Sequence, residues 1–396
     1  MNPDLDRLQA YPFEKLRALF ADLAPPAQPA LNLGIGEPRH EPPRLAVDAL
    51  SANLSGLSRY PATRGLPELR TAMADWLKRR FGLPALDPDG EVLPVAGTRE
   101  GLFAVAQALV DRSREPLVLS PNPFYQIYEG AALLAGAEIQ FLDCRQDNGF
   151  IPDFDAVSEA TWQRCQLLYI CNPGNPSGAV MPLAQLKRLV ELAREYQFVV
   201  VSDECYSEIY RDEDSPPPGL LEACIAAGAD DFHNCLVFHS LSKRSNLPGL
   251  RSGLVAGDAD LIATFLRYRT YQGCAMPLHH QLASIAAWTD EAHVVENRAR
   301  YREKFVAVCE RLAPVLAVEA PAAGFYLWPA TPWPDTEFAR ALYQGYNLTV
   351  LPGRFLGRDA GAGNPGEGRV RMALVPPLED CLLAADHIVD YLGRTR

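Results

Sequence analysis

The chain has 396 residues, 48% of them hydrophobic and 22% charged, with a formal net charge of −12. That length predicts two domains, or one large α/β domain with a smaller companion, and the composition is that of an ordinary soluble globular protein. The acidic balance, with no basic run, argues against a nucleic-acid surface, and no stretch approaches the roughly 18 apolar residues of a membrane span.

The chain opens M-N-P-D-L-D, with no apolar core of a signal peptide. Its nine cysteines form no C-x-x-C pair and read as scattered core residues in a reducing compartment, so the cytoplasm is the expected location. His279-His280 has no third ligand spaced with it, and no metal site is expected.

In chain order, an arm and a short helix from Phe13 to Leu23 lead through a proline-rich link to a strand, Leu31 to Ile35, closed by G-I-G-E-P. Glycines after a strand let the backbone approach a ligand closely, although the plain-turn reading of one G-x-G stands beside it. A helix from Pro43 to Leu54 precedes S-R-Y-P-A-T-R-G-L-P-E-L-R, where Pro67 opens a helix to about Phe81. Strand Val92 to Val95 then runs into A-G-T-R-E-G-L-F, which starts a helix to Val110. Such a junction offers unpaired N–H groups of Gly97, Thr98, Arg99 and Glu100 to an anion, or is an ordinary helix cap.

Strand Pro116 to Ser120 leads to P-N-P-F-Y-Q-I-Y, whose Tyr125 offers a stacking face for a planar ring. Strands follow at Ile139 to Leu142 and Leu167 to Ile170, the latter closed by C-N-P-G-N-P-S-G, a rigid loop that aims the Asn172 and Asn175 amides. An amphipathic helix, Leu183 to Tyr196, precedes the β-branched run Phe198 to Ser202, which ends in D-E-C-Y. This alternation predicts a largely parallel sheet with helices on both faces.

The apolar run Cys235 to Phe238 feeds a hydroxyl-rich loop in which Ser240, Ser242 and Ser245 surround Lys243, and Pro248-Gly249 turns the chain toward Arg251. The chain has four other lysines (15, 78, 187 and 304), each in a segment of helical pattern. Lys243 alone stands just past a buried strand, where open α/β sheets place their ligands. It suggests a Schiff base to a phosphorylated aldehyde cofactor; a surface lysine is the alternative. Beyond a strand to Ala256, helices reach roughly Leu316, with a domain crossing between Ala287 and Asn297. Strands at Phe325 to Trp328, Leu348 to Leu351 and Val370 to Leu374 alternate with a helix from Glu337 to Gln344, and the glycine-rich 357–368 reads as a mobile loop.

Taken together, the strand ends suit one flat, phosphorylated cofactor. Ser240, Ser242, Arg251 and the 97–100 turn would hold its phosphate, and Tyr125 would face its ring. Asp203 would pair with a protonated ring nitrogen, and Asn175 and Tyr206 would meet a phenolic oxygen. Lys243 would anchor it and then act as general base.

With N-P-S-G at Asn175 to Gly178, D-E-C-Y at Asp203 to Tyr206, S-L-S-K at Ser240 to Lys243 and G-L-R-S-G around Arg251, the chain resembles, over nearly its whole length, the fold-type-I aminotransferases of the class I/II family. These depend on pyridoxal 5′-phosphate. The resemblance implies an α/β fold whose large domain holds a mostly parallel seven-stranded sheet flanked by helices, with a smaller α+β domain. The expected division is arm and part of the small domain at 1–45, cofactor domain at 46–288 and small domain at 289–396. It also implies a homodimer in which Tyr60 reaches the neighbouring subunit's phosphate. The substrate carboxylate would fall to Arg371, with Arg369 two residues away on the same face, and to the backbone of Gly36.

Within the family, the opening M-N-P-D-L-D-R-L-Q-A-Y-P-F-E-K-L-R and L-G-I-G-E-P-R-H-E-P-P resemble the succinyldiaminopimelate transaminases. This implies amino transfer from N-succinyl-LL-2,6-diaminopimelate to 2-oxoglutarate in lysine biosynthesis. The extra carboxylates of such a substrate call for more donors, for which Arg39, Arg64 and Arg99 are candidates. Alternatives are a donor such as N-acetylornithine, aspartate or an aromatic amino acid, and a β-lyase or α-oxoamine synthase on the same scaffold. A ligand-sensing module would need a DNA-binding domain, and a nicotinamide dehydrogenase would need a glycine fingerprint that the chain lacks.

Overall fold

The computed structural model describes residues 2–395. Its centre is a seven-stranded sheet in the order Val92–Val95, Gly253–Gly257, Cys235–Ser240, Val199–Asp203, Cys165–Cys171, Leu117–Asn122, Glu138–Asp143. Gly253–Gly257 runs antiparallel to both neighbours, and the remaining pairs are parallel. Strands covered on both faces are apolar throughout, and their alternate side chains divide between two cores. Leu168, Ile170, Val200 and Val237 join Trp76 and Trp288 on one face, while Leu167, Tyr169, Val201 and Phe238 join Val105 and Tyr128 on the other.

The helices follow local chemistry. Pro67–Phe81 has proline in its first turn, three basic residues in its last, and Gly82 beyond it at φ +63°, a residue able to take the left-handed conformation. Its Leu69, Met73, Trp76 and Leu77 fill the first core.

A third core forms from both ends of the chain. Leu16, Leu31 and Leu33 meet Phe305, Leu312, Phe338, Leu348, Met372 and Ile388. Around it Leu31–Asn32 pairs in parallel with Leu348–Thr349, and Leu351–Pro352, Val370–Ala373 and Tyr326–Leu327 form an antiparallel sheet. The 21-residue helix Ala292–Leu312 carries Asn297 and Tyr301 at one end and brings Phe305, Val308 and Leu312 into this core.

Several sequence expectations shift. The first helix is Pro12–Leu19 and the strand at 31 ends at Asn32. The serine-rich stretch after Cys235–Ser240 is no loop but a helical turn, Leu241–Arg244, because Ser240 Oγ accepts the Ser242 N–H at 3.1 Å and caps it. The 357–368 segment, expected to be mobile, is tied down: Asn122 donates to the Arg358 carbonyl at 2.8 Å, and Arg145 reaches the carbonyls of Ala362 and Gly363 at 2.9 Å. The sequence reading also missed the closing helix Leu378–Thr395. No helix among the described residues is long and apolar enough to cross a membrane.

Candidate active site

The parallel strands present their carboxyl ends at one edge of the sheet, and reversal of Gly253–Gly257 brings its amino end, with Arg251, to the same edge. A cavity of about 550 Å³ opens there, the position where open α/β sheets bind ligands.

After Val92–Val95, Gly97 turns at φ +86° and ψ 148°, a conformation open to glycine, and a Cβ on it would overlap the Arg251 guanidinium. Thr98 and Arg99, which start the next helix, line the cavity. Glu100 does not: its carboxylate accepts the Ala96 N–H at 2.7 Å and pairs with buried Arg269 at 2.7 Å, so it braces the turn from behind. Tyr125, beyond Leu117–Asn122, lines the cavity, and burial pushes its phenol well above the usual range. Ser240, Ser242 and Arg251 lie together, with Arg251 at φ +53° and donating to the Pro248 carbonyl at 2.9 Å.

Asp203 is buried at the end of its strand. Its Oδ2 accepts from the Tyr128 hydroxyl at 2.8 Å and its Oδ1 from the Cys205 N–H at 3.3 Å. Burial raises its pKa, and the hydrogen bonds from Cys205 and Tyr128 oppose that rise. Tyr128 was not anticipated in this role, because nothing in P-N-P-F-Y-Q-I-Y distinguishes it from a core tyrosine.

Lys243 Nζ donates to the Gly36 carbonyl at 2.7 Å. Burial lowers its pKa to about 8, leaving an appreciable neutral amine near physiological pH. Arg371 donates to Asn175 Oδ1 at 3.0 Å and to the Gly34 carbonyl at 2.9 Å, while its buried Nε has no partner. Its guanidinium lies 4.4 Å from the centre of the Tyr326 ring, whose hydroxyl is 3.0 Å from that of Tyr206. A Cβ on Gly36 would overlap Tyr326. The aromatic run at Phe325 to Trp328 was the available signal for Tyr326, but it reads equally as core.

Arg369, whose bridge to Ala330 continues the ladder of Arg371's strand, reaches different partners from Arg371. It lies outside the strand Val370–Ala373, donates to the Trp328 carbonyl at 2.8 Å and Gln146 at 2.6 Å, and lines a different cavity. Of the three candidate arginines only Arg99 borders the site, over the ring of Tyr11 at 5.5 Å. Arg64 is exposed and donates to the Asp89 carbonyl, and Arg39 is exposed. Asn172 is also turned away, bonded to Pro218 and Met181. Tyr60 is fully exposed and outside the cavity of its own chain. Tyr11, Glu37 and Gln126, unremarked in the sequence, border the site.

A lysine, a buried carboxylate and an anion cradle on this sheet define a fold-type-I enzyme that works with pyridoxal 5′-phosphate. The aminotransferase class I and II family profile matches residues 28–388, and the chain belongs to that family. It is a transaminase acting on amino and 2-oxo acids. It is 34% identical to the LL-diaminopimelate aminotransferase of Dehalococcoides mccartyi over 95% of this chain and 94% of that one. The crystal structure of an aminotransferase from Neisseria meningitidis superposes with a TM-score of 0.95 at 49% identity, covering 99% of this chain and 100% of that one. A probable N-succinyldiaminopimelate aminotransferase from Thermus thermophilus gives 0.83 at 29%, covering 96% and 99%.

The residues present fit the cofactor. The missing side chain at Gly97 leaves a cradle beside Arg251, Asp203 is the only buried acid at the cavity wall among the described residues, and Lys243 lines the same cavity. No group of His, Cys, Asp or Glu suited to a metal occurs among the described residues.

Proposed function

We propose that the enzyme transfers an amino group from N-succinyl-LL-2,6-diaminopimelate to 2-oxoglutarate, in lysine biosynthesis through diaminopimelate, by a ping-pong cycle centred on Lys243. The observation that carries the reading is a pair of guanidinium groups, Arg371 and Arg99, bordering one cavity. Both proposed substrates carry a carboxylate beside the reacting carbon and another at a distance. Among the described residues Arg99 has no acidic partner, so it is available to the distant one.

When bound, pyridoxal phosphate supplies an aldehyde carbon for an amine and a ring that accepts the electron pair left at the donor's Cα. Arg251, Ser240, Ser242, Thr98 and the backbone N–H groups of the 97–100 turn hold the phosphate. Tyr125 covers one ring face. Asp203 keeps the ring nitrogen protonated, and Asn175 and Tyr206 hold the phenolic oxygen. Arg371, with the Gly36 backbone, fixes the substrate carboxylate. Lys243, its pKa lowered to about 8, moves the proton at Cα.

The division at residues 45 and 288 is supported by the cores. Buried residues of the two sheet-face cores fall within 46–288, and those of the third lie outside it. Exposed Leu54, Leu57, Tyr60 and Tyr271 support a homodimer in which Tyr60 reaches the partner's phosphate. The nine cysteines are all free thiols, which suits the cytoplasm.

The test is a donor screen with 2-oxoglutarate, measuring glutamate formed from N-succinyl-LL-diaminopimelate, LL-diaminopimelate, N-acetylornithine and aspartate. The succinylated donor should give the highest kcat/KM. A preference for unsuccinylated diaminopimelate overturns the succinyl assignment, and no glutamate from any donor overturns the acceptor.

A further inference from the structure

Behind Lys243 lies a buried polar chain that the roles above leave unused. Lys304 is 3% exposed on the helix Ala292–Leu312, and no carboxylate pairs with it among the described residues. Its ammonium contacts His40 Nε2 at 2.7 Å and the Val375 carbonyl at 3.3 Å. His40 Nδ1 is 2.8 Å from Asn297 Oδ1, and Asn297 Nδ2 donates to the carbonyls of Lys243 and Arg244, each at 3.3 Å.

The donors run one way. An ammonium can only donate, so His40 Nε2 accepts and its proton sits on Nδ1, directed at Asn297 Oδ1. That oxygen also accepts from Asn246 Nδ2 at 2.9 Å, which fixes the Asn297 amide with its NH₂ toward the Lys243 main chain. Burial, with the Lys304 charge adding to it, lowers the His40 pKa and keeps the ring neutral. Burying an ammonium without a counter-charge costs stability relative to an apolar side chain, so the contribution of Lys304 is the direction it imposes.

The same 34–40 segment therefore holds Lys243 at both ends. The Gly36 carbonyl receives the side-chain amine, and His40 reaches the lysine carbonyl through Asn297. Two residues before Gly36, the Gly34 carbonyl receives Arg371. We propose that Lys304, His40 and Asn297 are positioning residues, a relay that sets the 34–40 segment in register with Lys243 and Arg371. This rests on the reading of Lys243 as the catalytic lysine.

The test uses the cofactor-loaded enzyme and three variants. His40→Phe keeps the ring packed 4.7 Å from Tyr301 but deletes both nitrogens, His40→Gln keeps one donor and one acceptor, and Lys304→Met removes the first donor. His40→Phe should lower kcat about tenfold, raise KM for the amino donor, and move the pH midpoint of the bound cofactor's visible band. Hydrogen exchange at 34–36 in the cofactor-free chain should quicken, and His40→Gln should recover most of each effect. Unchanged kcat, KM and band midpoint in His40→Phe overturn the relay, as does a Gln variant no better than Phe. If His40→Phe does not fold, Lys304→Met is read by the same criteria. Lys243→Ala is the separate control: full turnover in it overturns the catalytic lysine, whatever the His40 variants do.

Discussion

The Tyr128 hydroxyl donates a 2.8 Å hydrogen bond to Asp203 Oδ2, joining residues 75 positions apart at the buried end of the site. The Tyr128 ring stacks on Tyr169 with centroids 4.7 Å apart and planes 8° from parallel, so the bond comes from a rigid support. Burial raises the Asp203 pKa, and the Tyr128 bond, with that from Cys205, opposes the rise.

Tyr128→Phe should keep the stack and lose the bond. Hydrogen bonds to charged groups contribute roughly 1.5–3 kcal/mol, so kcat/KM should fall at least tenfold. The Asp203 pKa rises further without its donor, so the acid limb of the kcat/KM profile should move to higher pH. A wild-type profile would remove Tyr128 from this role.

Arg371 and Arg369 are neighbours in sequence and occupy different cavities. Arg371→Ala should raise KM for amino and oxo acids together, roughly 10- to 100-fold for the loss of a charge-assisted pair. Arg369→Ala should leave both KM values near wild type. Steady-state kinetics on the two variants separates them, and the reverse pattern would transfer the carboxylate to Arg369.

Gly97→Ala places a Cβ against Arg251 at a backbone conformation that non-glycine residues avoid. The strain is on the order of 1–3 kcal/mol, and the displaced guanidinium should weaken cofactor binding. Equilibrium titration of the cofactor-free variant should show the loss, while kcat at saturating cofactor recovers more fully. Unaltered affinity would separate Arg251 from the phosphate.

Burial lowers the Lys304 pKa from 10.5 to about 8. Below about pH 8 the folded chain carries the buried charge at full cost. Between that pH and the unfolded value the unfolded chain binds a proton that the folded chain does not, so stability rises with pH. Wild-type Tm should therefore gain on Lys304→Met between pH 8 and 10, with the cofactor absent from both. The displacement corresponds to roughly 3 kcal/mol. Parallel Tm curves would show that Lys304 titrates as an exposed lysine.

What the sequence by itself determined was local: apolar strands, the polar residues that end them, and glycines where the backbone must turn or make room. Chain order sufficed to foresee Lys243, Asp203, Arg251 and Tyr125 at one edge, because parallel strands present their ends together. Tertiary structure alone decided which groups meet across distance. Glu100 turned to Arg269, Arg369 parted from Arg371, and Tyr128 reached Asp203, each through a partner on another element. Lys304, read as one more helix lysine, is buried because its helix runs from Asn297, behind the Lys243 main chain, into the third core. A side chain's identity is written locally, but its charge state and direction are set by what packs against it, and no spacing in the chain records that.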